Sequence, residues 1–187
     1  MMSPVLRLLI LLAALWAGYY WVRSPGSVAV AAPDGTLAYP GYTISPLERW
    51  QPTARILSVR RYRSDREAEL APLDLALGWD RMADPTLLAG FDISQRNRWF
   101  YWRTDKLPFS RAEIQSSMAN VHIVPATQHI ANQLKDLRAG QRVVLDGQLI
   151  SIQADDGWRW RSSLSRTDTG RGSCELLWLE GLTLLSG

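Results

Sequence analysis

Hydrophobic and polar positions divide the chain into two regimes. From Val5 to Val22 (VLRLLILLAALWAGYYWV) nearly every residue is apolar and Arg7 is the only charge, and Arg23, Ser24, Pro25 and Gly26 follow at once. At ~1.5 Å rise per residue, roughly 18 residues make about 27 Å of helix, close to the thickness of a bilayer's hydrocarbon core. Residues 1–25 are therefore expected to form a transmembrane anchor that meets the lipid bilayer through residues 4–22. Beyond residue 46 the apolar residues recur at short periods between glycine, proline and aspartate breaks, which predicts a strand-rich domain.

Within that domain, Ala54 to Tyr62 (ARILSVRRY) alternates as a strand with one wet face should, and Leu73, Leu75 and Leu77 recur at every second residue between Pro72 and Gly78. Asp84-Pro85 opens a short helix that ends near Gly90. Ile93 to Arg103 (ISQRNRWFYWR) is expected to be one central strand, because Trp99 and Tyr101 cover one face while Phe100 and Trp102 cover the other. Ser110 with Glu113 forms a capping box for a helix that stacks Ile114 and Met118. Residues 117–126 (SMANVHIVPA) fall between this helix and a second one, which begins near Thr127, sets Ile130, Leu134 and Leu137 on one stripe, and stops at Gly140. A long strand over Gln141–Ile152 carries a glycine suited to a bend, Asp155-Asp156-Gly157 makes a tight turn, and Trp158–Leu164 returns with its tryptophans on one face and Arg159 and Arg161 on the other. Cys174–Leu179 is the last strand.

Composition narrows the compartment more than the chemistry. Of 187 residues, the anchor and a Pro/Gly-rich linker over 26–46 leave roughly 140, residues 47–187, for a single β-rich globular domain. Ala29-Val30-Ala31 before Ala32 also fits signal-peptidase cleavage, but the rings of Trp16, Tyr19, Tyr20 and Trp21 suit a headgroup interface and favour an uncleaved anchor. The N-terminal amine and Arg7 favour a single pass with the domain on the outer side of the membrane. A lone Cys174 makes no intramolecular disulfide, so stability must come from apolar burial. Net charge is only +3, and the cluster Arg55, Arg60, Arg61, Arg63 and Arg66 reads as a solvated strand edge.

A helix ending in glycine, followed by V-x-L-x-G-x-L and a long hairpin, resembles an OB-type barrel with the helix plugging one end. The fold class this implies is α+β, mainly β: a transmembrane helix, then a small, partly open OB-like barrel with two or three inserted helices. The set RWFYWR, N-x-H-I-x-P-A and WRWRSSLSRTDTGRGSCELLWLE also resembles a group of bacterial proteins with one N-terminal membrane segment, a resemblance that implies a single-pass location in the bacterial inner membrane with the domain on the periplasmic side and carries no activity.

Candidate chemistry falls in two places. Asn120 and His122 share one face if their segment is extended, and His122 is either a base or binding donor or a residue bonded into a proline-containing loop. The second place is the loop with Arg166, Asp168, Cys174 and Glu175, where Cys174 paired with His122 and oriented by Asp168 would follow the logic of a thiol hydrolase. A cysteine opening a strand suits a small buried hydrophobe better. Two histidines and one cysteine form no recognisable metal set, and neither a calcium loop nor a phosphate loop occurs, so no cofactor is expected. An OB-type nucleic-acid binder would stack bases on Trp158 and Trp160, yet the alternation puts the arginines on the opposite side. The sequence thus points first to a non-catalytic binding domain for an envelope protein or small ligand, with Asn120, His122, Arg166, Asp168 and Glu175 as candidate contacts; an envelope hydrolase using His122 with Asp168 or Cys174 and a nucleic-acid binder are the alternatives.

Overall fold

The computed structural model describes residues 30–31, 37–165 and 173–186, so the expected anchor lies outside the described residues, as do Arg166 and Asp168. Among the described residues no helix is long and apolar enough to cross a membrane. Eleven strands occur there: β1 (Val30–Ala31), β2 (Leu37–Tyr39), β3 (Tyr42–Trp50), β4 (Thr53–Arg61), β5 (Leu73–Gly78), β6 (Asp92–Arg96), β7 (Trp99–Arg103), β8 (Met118–Pro125), β9 (Arg142–Ala154), β10 (Arg159–Arg161) and β11 (Glu175–Leu185). Three short α-helices interrupt them: α1 (Pro85–Leu88), α2 (Arg111–Ser116) and α3 (Gln128–Gln133).

Five strands close into a barrel. β4 pairs β5 and β5 pairs β8, both antiparallel; β8 runs parallel to β11; β11 pairs β9 antiparallel; and β9 meets β4 again through Thr53 opposite Val144 and Arg55 opposite Arg142. The spatial order β9-β4-β5-β8 is a Greek key, with β11 filling the remaining gap. This mainly-β, closed five-stranded barrel is consistent with an OB-like one. It is closed where a partly open barrel was expected, because the 13-residue β9 is long enough to pair with β4 at its start and with β3 along the rest.

Leu75, Leu77, Val121, Ile123, Val143, Leu145 and Leu177 fill the interior, and Ile130, Leu134 and Leu137 from α3 and the turn after it plug one end. The Thr127 hydroxyl accepts from the Ile130 amide to start α3, and Gly140 ends the segment at φ +91. A second core lies on the outer face of β8, β9 and β11, where Ile44, Val124, Ile150, Ile152, Leu176 and Trp178 meet.

Several sequence expectations change here. Part of the 26–46 stretch belongs to the sheet: β2 and β3 are strands, and Pro46, opposite Ile150, borders a bulge in the ladder, a place where strands accept proline. The segment from Ile93 to Arg103 is not one central strand but a separate hairpin, β6–β7, turning through Asn97 and Arg98 at φ 51 and 67. Its faces divide as expected, with Ile93, Phe100 and Trp102 packed near Met82, Ile114 and Met118, but Tyr101 on the other side is 41% exposed. Conversely, residues 118–125, read as a loop, form the central strand β8, buried at every position before Pro125. Covered on both faces, it shows no alternation for a periodicity argument to find. The return after the Asp155-Asp156-Gly157 turn is also shorter than expected, with only Arg159–Arg161 paired to β9.

Candidate functional site

β5 and β8 lie side by side, with Asp74 opposite His122 and Ala76 opposite Asn120, and β11 places Leu176 opposite His122 from the other flank. Asn120 and His122 therefore share the outer face of the barrel wall, as their spacing predicted. Both are buried, as is Asp74, which is fully enclosed. His122 Nδ1 lies 2.9 Å from Asp74 Oδ1, but off the line of a good hydrogen bond. The Trp160 ring, 4.9 Å away and tilted by 50°, covers the imidazole.

The cation facing Asp74 comes from the tip of the β6–β7 hairpin. Arg98 Nη1 donates to Asp74 Oδ1 at 2.9 Å and to the Ala71 carbonyl at 2.8 Å, Nη2 and Nε reach the Asp65 carboxylate, and the guanidinium lies 3.7 Å from the Tyr62 ring centre. The left-handed backbone of Arg98, unfavourable for a side-chain-bearing residue, is what turns this guanidinium into the barrel wall. The backbone amide of Arg98 donates to the Tyr62 hydroxyl, so the hairpin tip is held from two sides.

Asn120 completes the cluster. Its Oδ1 accepts from Gln95 Nε2 at 2.7 Å, and its Nδ2 donates to the Arg98 carbonyl at 3.1 Å and approaches Cys174 Sγ at 3.9 Å. Cys174 is half-buried among polar groups rather than packed as the small hydrophobe its position implied. Its sulfur lies 3.9 Å from both Asn120 Nδ2 and the Arg98 carbonyl oxygen. Glu175, also buried, stands opposite Val121 of the barrel core, so it occupies the other face of the sheet from Asn120 and His122. Of the five candidate residues, the structure brings together Asn120 and His122 and separates Glu175 from them.

Asp74, Arg98, Asp65 and Gln95 were missed. One signal was present: Asp74 is the lone charge in LDLALG, a strand buried at all six positions, and a charge there needs a buried partner. Buried Asp74 Oδ2 and Gln95 Oε1 have no hydrogen-bond partner among the described residues. No group of three or more potential metal ligands occurs among those residues either. Asp156 is held by the Arg66 fork at 2.8 and 2.9 Å, and that guanidinium together with the Trp158 amide keeps its carboxyl below the usual range. The neighbouring arginines are not simply solvated: Arg55 donates to the carbonyls of Ala83 and Gly140, and Arg61 to those of Leu134, Lys135 and Leu137.

Trp158 and Trp160 face inward as predicted. Trp158 meets the Tyr42 ring at 6.2 Å and lies beneath Arg66, while Arg159 and Arg161 are exposed. A separate cleft of about 540 Å³ opens at the end of the barrel beside α3, lined by none of Asn120, His122, Cys174 or Glu175. No known protein-family model matches the chain, and no curated protein is similar to it.

Proposed function

We propose that this chain is a non-catalytic binding domain of the bacterial cell envelope, built on an OB-type barrel and held at the inner membrane by its first 25 residues, with the domain on the periplasmic side. One observation carries the non-catalytic reading: the polar side chains that could do chemistry, Asp74, Asn120 and His122, are enclosed in the fold. His122 is wedged between Asp74 and Trp160, Asn120 ties the hairpin to β8, and Arg98 neutralises a carboxylate inside the wall. A general base needs its substrate proton within hydrogen-bond reach, and His122 is buried with Trp160 packed against its ring. The aromatic rings that would stack bases are turned to the same interior, which disfavours nucleic acid as the partner. The apolar run from Val5 to Val22 supports the anchor, and cell fractionation with protease access to the C-terminal domain tests it.

His122→Ala is expected to lower stability by roughly 2–4 kcal/mol, because it leaves a cavity under Trp160 and removes a neighbour of Asp74. Cys174→Ser should change stability by less than about 1 kcal/mol, since the hydroxyl can keep a polar contact with the Arg98 carbonyl. Chemical denaturation measures both. Complementation of a deletion strain with Cys174→Ser and Asp168→Asn tests the reading itself: both should restore growth phenotypes, and stable variants that fail to do so would make a hydrolase the better account.

A further inference from the structure

We infer that the cleft beside α3 binds a single-chain amphipathic anion, an apolar body ending in one carboxylate or phosphate. This rests on the binding-domain reading above and gives it a ligand class. The cleft lies where the two cores meet: Leu73 and Leu134 of the barrel interior and Leu70 and Ala126 of the outer core form its floor, so the bottom is apolar and already organised by packing. Its volume of about 540 Å³ falls within the ~300–1,000 Å³ usual for small-molecule sites.

The charge on its walls is lopsided. Arg61, Arg63 and Lys135 contribute three cations against the single carboxylate of Glu69, which accepts a hydrogen bond from the Tyr42 hydroxyl. None of the three cations pairs with a carboxylate among the described residues. This contrasts with Arg49, Arg66, Arg81, Arg98 and Arg103, all of which do. Arg61 spends Nη2 on the carbonyls that follow α3 and keeps Nη1 and Nε without described partners, while Lys135 donates to Asn132 alone among the described residues. Of the wall hydroxyls, Tyr39 donates to the Pro125 carbonyl, with burial pushing its pKa up to about 12, while Tyr62 accepts from the Arg98 amide and Thr127 from the Ile130 amide. Recognition is thus left to the cations at the walls and to the apolar floor. An anion with an aliphatic or aromatic body satisfies both at once; a neutral amphiphile leaves the cations unpaired, and a hydrophilic anion leaves the floor unfilled.

Calorimetric titration of the full-length protein with four twelve-carbon probes tests this: dodecanoate, dodecyl phosphate, dodecanol and dodecyltrimethylammonium, each below its aggregation threshold. Dodecanoate and dodecyl phosphate should bind saturably at one site, and the other two at least tenfold more weakly. The Arg63→Glu/Lys135→Glu pair, both exposed and outside the cores, should weaken the anions at least tenfold with an unchanged unfolding midpoint. Ala131→Trp should do the same by filling the cleft; if that variant does not fold, the charge reversal alone decides. Equal binding of all four probes, no binding of either anion, unchanged affinity in the charge-reversed protein, or binding only to phosphatidylglycerol vesicles would each overturn the inference. The non-catalytic reading falls only with the complementation experiment, so the two failures are distinguishable.

Discussion

Replacing Arg98 by alanine should destabilise the domain by roughly 3–5 kcal/mol, the usual cost of leaving a buried charge without its partner. Asp74 has no exposed surface, and Arg98 Nη1 is the guanidinium group on its Oδ1. Without it the carboxylate faces only the off-line His122 nitrogen and an apolar wall, and the β6–β7 hairpin loses its grip on Asp65 and the Ala71 carbonyl. Asp74→Asn in the same chain removes the charge that needs neutralising and should recover about 2 kcal/mol of the loss, so the coupling between the two sites in a double-mutant cycle should lie near the upper part of the ~0.5–3 kcal/mol range. Arg98→Gly should be less damaging than Arg98→Ala by about 1 kcal/mol, because glycine adopts the left-handed backbone at this position without strain. Urea unfolding of the four variants decides the matter. Strictly additive losses would mean that Arg98 and Asp74 act independently and that the cluster is not an ion-paired unit.

Elements whose signals are local were legible in the sequence. Asp84, Ser110 and Thr127 cap their helices through side-chain oxygens, Gly140 and Gly157 stand at positive φ, and α3 turns its apolar stripe into the barrel end. The hairpin and β8 were misread for opposite reasons. WFYWR is aromatic at four successive positions, which imitates a strand covered on both faces, yet the Asn97-Arg98 turn folds it back and leaves one face partly wet. MANVHIVP is buried at every position before its proline, and its Asn and His make a central strand look like a polar loop. The site fared the same way. Asn120 and His122 were visible because two polar residues stood close together, whereas their partners come from β5, from the turn before β5 and from the tip of the hairpin, at separations that no spacing rule covers. The cleft is less legible still, since its lining comes from four segments brought together only by closure of the barrel.

That closure depends on Gly147, and Gly147→Ala should cost about 3 kcal/mol or more, above the ~1–3 kcal/mol typical of overpacking. A Cβ at this position would sit 2.0 Å from the Trp178 carbonyl oxygen and 3.1 Å from Leu177 Cδ1. The nearest obstacle is backbone, so no rotamer change relieves the clash and β9 must move away from β11. Gly147 stands opposite Leu179 of β11 and Trp50 of β3, close to the point where β9 exchanges β4 for β3 as its neighbour. Any displacement there loosens the ladder that closes the barrel and the strand carrying the second core. Gly157→Ala supplies the comparison: its backbone is at φ +89, but a Cβ there meets nothing within 4 Å, so only the ~1–2 kcal/mol of a left-handed residue is lost. In a domain whose whole stability is of order 5–15 kcal/mol, the first change should shift the denaturation midpoint conspicuously and the second modestly. Tryptophan fluorescence, with Trp178 beside the clash, follows both transitions. A Gly147→Ala protein no less stable than Gly157→Ala would show that β9 and β11 can separate at this crossing without cost, and the close strand contact would then not be what requires glycine there.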